Sequence, residues 1–173
     1  MMLEIKDVSV SFGQAAAIDR VSFTVRENTT TVVIGESGSG KSVMLCAIMH
    51  ILPPSARITG SILLDGEELL NKTEKQMQQL RGNALSYIPQ GSGTSMNPLL
   101  TVGYQVAEPL IEKKGEKKRP ALAKAVAWMQ SLSLGNEAAL AASYPHTLSG
   151  GMRQRALIAM GAISGAPMLL ADE

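Results

Sequence analysis

Aromatic residues and cysteine are both scarce in this sequence. Phe, Trp and Tyr make up 3% of 173 residues, so a core has to be built from aliphatic side chains. A single cysteine, Cys46, excludes an internal disulfide and a cystine-stapled secreted scaffold, and a reducing compartment is the expectation. An excess of one charge is missing too: 16 Lys and Arg against 15 Asp and Glu leave +1. That balance argues against a chain whose main task is an electrostatic grip on nucleic acid. The uncharged apolar stretch 156–171 falls short of the ~20 residues of a membrane helix and is interrupted by Gly161, Gly165 and Pro167. Glu4, Lys6 and Asp7 stand where a signal peptide would carry its apolar core. The expectation is an intracellular chain that does not cross a membrane. With 45% apolar and only 18% charged residues, disorder is excluded, and the length suits one domain of ordinary size.

Glycine (16) and methionine (10) are plentiful instead. Met44, Met49, Met129, Met152 and Met160 fall at helix-like positions and read as core filling. Residues 3–25 alternate apolar and polar side chains, with a slip between Ile5 and Val8 that predicts a bulge. Thr31–Ile34 is a β-branched run predicted as a strand covered on both faces. Lys41–Leu52 follows as a helix ended by Pro53 and Pro54. Ser61–Leu64 enters a tight Asp65-Gly66 turn, and Ala84–Ile88 is a further short strand. From Leu99 to Leu140 the period becomes helical, with Val102, Val106 and Leu110 on one stripe and Leu122, Val126, Met129 and Leu132 on the next. A helix over about Gly150–Ser164 and an apolar strand over Met168–Ala171 complete an α/β plan with a helical insertion.

Gly35-Glu36-Ser37-Gly38-Ser39-Gly40-Lys41-Ser42 fits the phosphate-binding pattern GxxxxGKS, between a predicted strand and a predicted helix. Backbone N–H groups from Gly35, Ser37, Gly38, Ser39, Gly40, Lys41, Ser42 and Val43 would converge on phosphate oxygens. The Lys41 ammonium would bridge the terminal phosphates, and the Ser42 hydroxyl would ligate Mg²⁺. The loop establishes a nucleoside triphosphate and not a purpose. A second anion-ready helix start lies at Leu148-Ser149-Gly150-Gly151-Met152-Arg153-Gln154-Arg155, with Ser149 as cap. A P-loop small-molecule kinase would account for the first motif and leave the second unexplained.

The second string resembles the signature sequence of ABC-transporter ATPases, and the resemblance covers essentially the whole chain. It implies an α/β P-loop NTPase core with an N-terminal antiparallel β-subdomain and an inserted helical subdomain. The expected division is 1–90 for the β-subdomain and P-loop core, 91–147 for the helical subdomain, and 148–173 for the signature helix and Walker B strand. It further implies ATP and Mg²⁺ as ligands. Tyr87-Ile88-Pro89-Gln90 is similar to the family's Q-loop, where Gln90 would contact Mg²⁺ and the attacking water. Asp172 would hold the Mg²⁺ shell, Glu173 would polarise water as the catalytic carboxylate, and Phe12 would stack on adenine. Ser149, Gly150 and Gly151 would close on ATP held by a second ABC ATPase subunit, a copy or a paralogue. Pro89 before the glutamine and Gly91-Ser92-Gly93 after it depart from the commoner Q-loop, where an acidic residue and proline follow. Since Asp172-Glu173 stand at the end of the sequence, a D-loop, further strands and a switch histidine would be expected beyond them. Neither His50 nor His146 matches that histidine.

Within the family, Asn97–Val102 and Tyr144-Pro145-His146-Thr147 look like the dipeptide, oligopeptide and nickel uptake group. The resemblance therefore implies an importer ATPase on the cytoplasmic face of the membrane. Its partners would be transmembrane permease subunits and, indirectly, a solute-binding protein, with no nucleic acid. Alternatives are a nucleotide-binding fragment without turnover and a cytosolic ABC ATPase outside transport. His146 reads as a packing histidine. The run Lys113, Lys114, Lys117, Lys118 and Arg119 reads as a solvated turn, with anionic lipid beneath a permease as the alternative.

Overall fold

In the computed structural model, residues 1–91, 95–132 and 137–172 are described. The chain divides into two compact units, Met1–Arg81 and Gly82–Glu173.

The first unit is built on an antiparallel sheet of β1 (Leu3–Phe12), β2 (Ala15–Val25), β3 (Ala56–Leu64) and β4 (Glu67–Glu68), in the order β2-β1-β3-β4. Leu3, Ile5, Val8 and Val10 are buried to 1% exposure or less. The slip between Ile5 and Val8 is a register shift, and Asp7 there takes φ 48 while its N–H donates to Ser22 Oγ at 2.8 Å. The Asp65-Gly66 turn has φ values of 49 and 82, the left-handed pair that a tight hairpin needs. Beyond it, the Glu68 carboxylate accepts from the Ser61 hydroxyl (2.5 Å), Ile62 N–H (3.0 Å) and Leu70 N–H (3.1 Å), fastening the hairpin.

Helix α1 spans Lys41–Ile48 and buries Met44, Ala47 and Ile48. It stops short of the predicted Leu52, as His50 turns to φ 53 and a distant side chain binds the two carbonyls just beyond Ile48. Arg81 donates to Met49 O and His50 O, both at 2.9 Å, and pairs with Glu74 at 2.6 Å. Charge-assisted bonds of this kind contribute about 1.5–3 kcal/mol, enough to fix a helix end. Glu74 opens α2 (Glu74–Leu80), which Thr73 and Gln76 close with a capping box.

The predicted strand over 31–34 is not formed. Residues 29–36 pair with none of the described strands, and Val32, Val33 and Ile34 are 71%, 50% and 90% exposed. A β-branched run has strand propensity, but a strand exists only in a ladder, and no ladder partner is offered to it.

In the second unit β5 (Leu85–Ile88) pairs in parallel with β6 (Met168–Ala171). Helices α3 (Val102–Lys114), α4 (Lys118–Ser131), α5 (Glu137–Ala142) and α6 (Gly150–Ala162) enclose one apolar core. On α3 the predicted stripe holds, since Val102 and Val106 are fully buried. On α4 the predicted Met129 is buried, but Ala121 and Ala125 share its stripe in place of the predicted Leu122 and Val126, which flank it one residue on, while Leu132 packs partly buried against the core. Alanine faces let α3 and α4 approach closely, so size decides which residue turns inward. Gln105, 4% exposed, bonds Asn97 N–H (2.8 Å), Asn97 O (2.9 Å) and Leu100 O (3.0 Å), so the loop before α3 hangs on one buried amide. The Ser86 hydroxyl donates to Gly161 O and ties β5 to α6. No helix among the described residues is long and apolar enough to cross a membrane.

Partial burial opposes ionisation of Glu68, but the bonds from Ser61, Ile62 and Leu70 outweigh it and hold the carboxyl below its ordinary value of 4.5. A lowered folded value means that its stabilisation is present above the ordinary value and is lost as pH falls through the folded one. Glu68→Gln should therefore lower the urea midpoint of the first unit at neutral pH, and its deficit should shrink in acid. A deficit constant down to about pH 3 would contradict this role for the carboxylate.

Candidate functional site

In the first unit the phosphate-loop residues surround the start of α1. Gly40, the N-cap, has φ 90 and ψ 6, and a Cβ there would lie 2.5 Å from Ala17 O and 2.9 Å from Ile18 Cγ1. Strand β2 thus presses against the loop at a point where only glycine fits, in both conformation and space. No side chain caps α1 and no acidic residue stands in its first turn, so its positive end is not neutralised from within. The Lys41 ammonium donates to Gly35 O (2.8 Å) and Glu36 O (2.7 Å) and reaches Ser39 Oγ at 3.5 Å. The Ser39 N–H closes a turn on Glu36 O at 3.2 Å. A single cation therefore gathers Gly35–Ser39 into a ring, with Ser37 and Gly38 at its rim and Ser42 and Val43 in the first turn of the helix behind it. Phe12 ends β1, half-buried, paired with Ala15 and Ala56. Ala17, which abuts Gly40, lies two residues beyond Ala15, so one hairpin end carries the aromatic ring and supports the loop.

In the second unit two further groups assemble. The parallel register places Ile88 beside Ala171, and Asp172 N–H continues the ladder to Ile88 O at 2.9 Å. Gln90, exposed, and Asp172, 7% exposed, therefore leave the same end of the β5–β6 pair. The Tyr87 hydroxyl donates a long bond of 3.3 Å to Asp172 Oδ2. Glu173 lies outside the described residues, as do Ser92 and Gly93 of the expected Q-loop.

The other group is the start of α6. Ser149 caps it by accepting from Met152 N–H at 3.3 Å, and a Cβ on Gly150 or Gly151 would meet nothing within 4 Å. Again no acid occupies the first turn. Arg153, one turn in, donates to Leu148 O (3.0 Å) and Pro145 O (3.4 Å), fixing the chain that delivers Ser149. His146 is exposed and stacks on Tyr144, with centroids 5.8 Å apart.

These donors suit the expected ligands. An ammonium, a glycine loop with no room for a Cβ at Gly35 or Gly40 and an uncapped helix start match a polyphosphate. Ser42 in the first unit offers a hydroxyl, and Gln90 and Asp172 in the second an amide oxygen and a carboxylate, each a hard oxygen donor of the kind that Mg²⁺ takes. Sequence reading passed over Arg81, Tyr87 and Arg153. Tyr87 stood inside Tyr87-Ile88-Pro89-Gln90 and Arg153 inside the signature string, but the grip of Arg81 on the end of α1 gave no local signal, because the carbonyls it binds lie 31 and 32 residues away.

The ABC transporter family model matches residues 18–173. The chain is 38% identical over 177 residues to the oligopeptide transport ATP-binding protein OppD of Salmonella typhimurium, covering 100% of this chain and 53% of that protein. It is 39% identical to the dipeptide transport ATP-binding protein DppD of Lactococcus lactis, covering 99% and 51%. The chain thus spans about half the length of these relatives. Among solved structures, the ATP-binding cassette MJ0796, a dimer in a post-hydrolysis state bound to ADP and Pi, superposes with a TM-score of 0.85. Identity there is 26%, with 98% of this chain and 72% of that chain covered.

Gly40→Ala adds a Cβ to a left-handed residue already in contact with Ala17 O. The expected result is a loss of about 1–3 kcal/mol in stability from urea titration, together with at least roughly tenfold weaker binding of a fluorescent ATP analogue. A variant with parental midpoint and affinity would show that the cradle is not strained.

Proposed function

Because the chain belongs to the ABC transporter family, with the fold of its ATP-binding cassettes, we propose that it is the ATP-binding and hydrolysing part of a peptide importer. One observation carries this reading: each unit presents its own glycine-opened helix start without an acid in the first turn, at Gly40-Lys41 and at Ser149-Gly150-Gly151. A chain that merely held one nucleotide would have use for the first alone. A cassette that meets a second cassette head to tail uses both, the loop for its own ATP and the signature for its partner's. The partner is a copy of this chain or a paralogue. The pair would sit on the cytoplasmic face of the membrane beneath permease subunits, with a solute-binding protein delivering cargo. Of the two cargoes expected, peptide and nickel, the names of the relatives support peptide.

In this reading Lys41 and the loop amides bind the β- and γ-phosphates and withdraw charge as water attacks the γ-phosphorus in line. Ser42, Gln90 and Asp172 would hold Mg²⁺, which supplies further charge neutralisation at the phosphates. Tyr87 orients the Asp172 carboxylate. Glu173 would polarise the attacking water, and Phe12 would cover the adenine face. Closure of the pair transmits force to the permease, and hydrolysis resets it, while cargo never touches this chain.

Lys41→Ala removes a charge-assisted phosphate contact of about 1.5–3 kcal/mol and should weaken a fluorescent ATP analogue at least tenfold. Equal affinities in the two titrations would defeat the assignment. Gly151→Asp sets a carboxylate against the partner's phosphates, so ATP-dependent dimerisation seen by size exclusion should disappear while monomer binding persists. An unaltered dimer peak would count against the signature reading.

A further inference from the structure

The turn between α3 and α4 concentrates positive charge on residues outside the nucleotide-binding groups. Lys113, Lys114, Lys117, Lys118 and Arg119 all lie exposed there, five of the 16 cations in the chain. With Glu112 and Glu116 the run nets +3, while the remainder of a +1 chain nets −2. Glu116 is further occupied by Lys124, from outside the run, at 2.7 Å. Lys113 and Lys114 end α3, where cations suit the helix dipole, and Lys114 Nζ also reaches Asn83 Oδ1 at 3.0 Å.

The next three cations are placed against that logic. Lys117 is the N-cap of α4 and Lys118 and Arg119 begin it, with no side-chain cap and no acid in the first turn. Cations at a helix N-terminus oppose the dipole, so helix stability does not account for them. Lys118 lies over the Tyr104 ring with its ammonium 5.2 Å from the centroid, which steadies one stem without removing its charge. All five belong to one turn joining antiparallel helices whose apolar stripes face away into the core.

We propose that this turn is a docking surface for the anionic headgroups of a lipid bilayer. Four of the five cations are lysines, strongly hydrated point charges on flexible stems, which suit a diffuse sheet of phosphates better than the paired geometry that arginine reads. The run itself contains no aromatic residue and the neighbouring Tyr104 ring is covered by Lys118, so a base finds no open stacking platform there, which favours a lipid over single-stranded nucleic acid as the partner. The run shares no residue with the phosphate loop or the signature, so lipid binding needs no nucleotide and stands or falls apart from the ATPase reading.

Co-sedimentation of the chain with phosphatidylcholine vesicles, with and without phosphatidylglycerol, tests it. The chain should pellet with the anionic vesicles only and be released as salt rises from about 0.1 M to 1 M, where the screening length falls to about 3 Å. The triple variant Lys117→Glu, Lys118→Glu, Arg119→Glu should lose at least about tenfold in partition. Its melting temperature should not fall, since acids suit that helix end; the matching glutamine triple variant should bind at an intermediate level. Pelleting equal on neutral vesicles, undiminished in either variant, or absent altogether would overturn the proposal. So would equally tight capture by a single-stranded DNA oligonucleotide at the same salt, which would mark an undiscriminating polyanion site.

Discussion

The first N–H groups of an α-helix have no carbonyl partners within the helix, and most helices satisfy them with a cap or an acid in the first turn. At Lys41 this chain does neither. Much of the first unit can be understood as the means of keeping that end open. Strand β2 presses on Gly40 and fixes the turn, Lys41 draws Gly35 and Glu36 around its ammonium, and Arg81 secures the opposite end through Met49 and His50. A helix of 8 residues is too short to hold its shape by propensity. Its geometry comes from contacts at both ends and from Met44, Ala47 and Ile48 beneath it.

The second unit meets the same constraint differently. Helix α6 keeps a serine cap but follows it with two glycines, so the capping bond is made and the approach to the backbone is still clear. Fixing the helix falls to Arg153, which grips the preceding carbonyls, and to Ser86, which takes Gly161 O near the other end. Each unit therefore holds one anion-ready terminus with a long polar side chain anchored to backbone oxygens. Backbone anchoring tolerates change in neighbouring side chains, so the surroundings of such a site are free to vary.

What could be read from the sequence was what is local. The glycine loop, the signature cap, the Asp65-Gly66 turn and the bulge after Ile5 each depend on a handful of consecutive residues, and each is where the pattern put it. The α3 stripe followed from its period alone. On α4 Met129 was buried as its period put it, but the first two positions were one residue off, because apolar character did not distinguish the small Ala121 and Ala125 from the larger Leu122 and Val126. The strand over 31–34 failed for a nonlocal reason, since propensity cannot supply a neighbour. Tyr87 with Asp172, 85 positions apart, and Arg81 with the end of α1 belong to the same class: their chemistry is ordinary and their meeting is a product of the fold.

The run Thr29–Ile34 also bears on how the protein behaves as a material. It holds three threonines, two valines and an isoleucine, with no charge and no proline, and it lies exposed and unpaired. Six residues of that character are the length and composition from which cross-β stacks are built, each copy offering an open ladder to the next. Encounters between copies scale with the square of their number, whereas burial of the run within one copy does not. Association through this run should therefore rise steeply with concentration. A charged residue at Val32 or Ile34 would weaken it without touching the loop that follows.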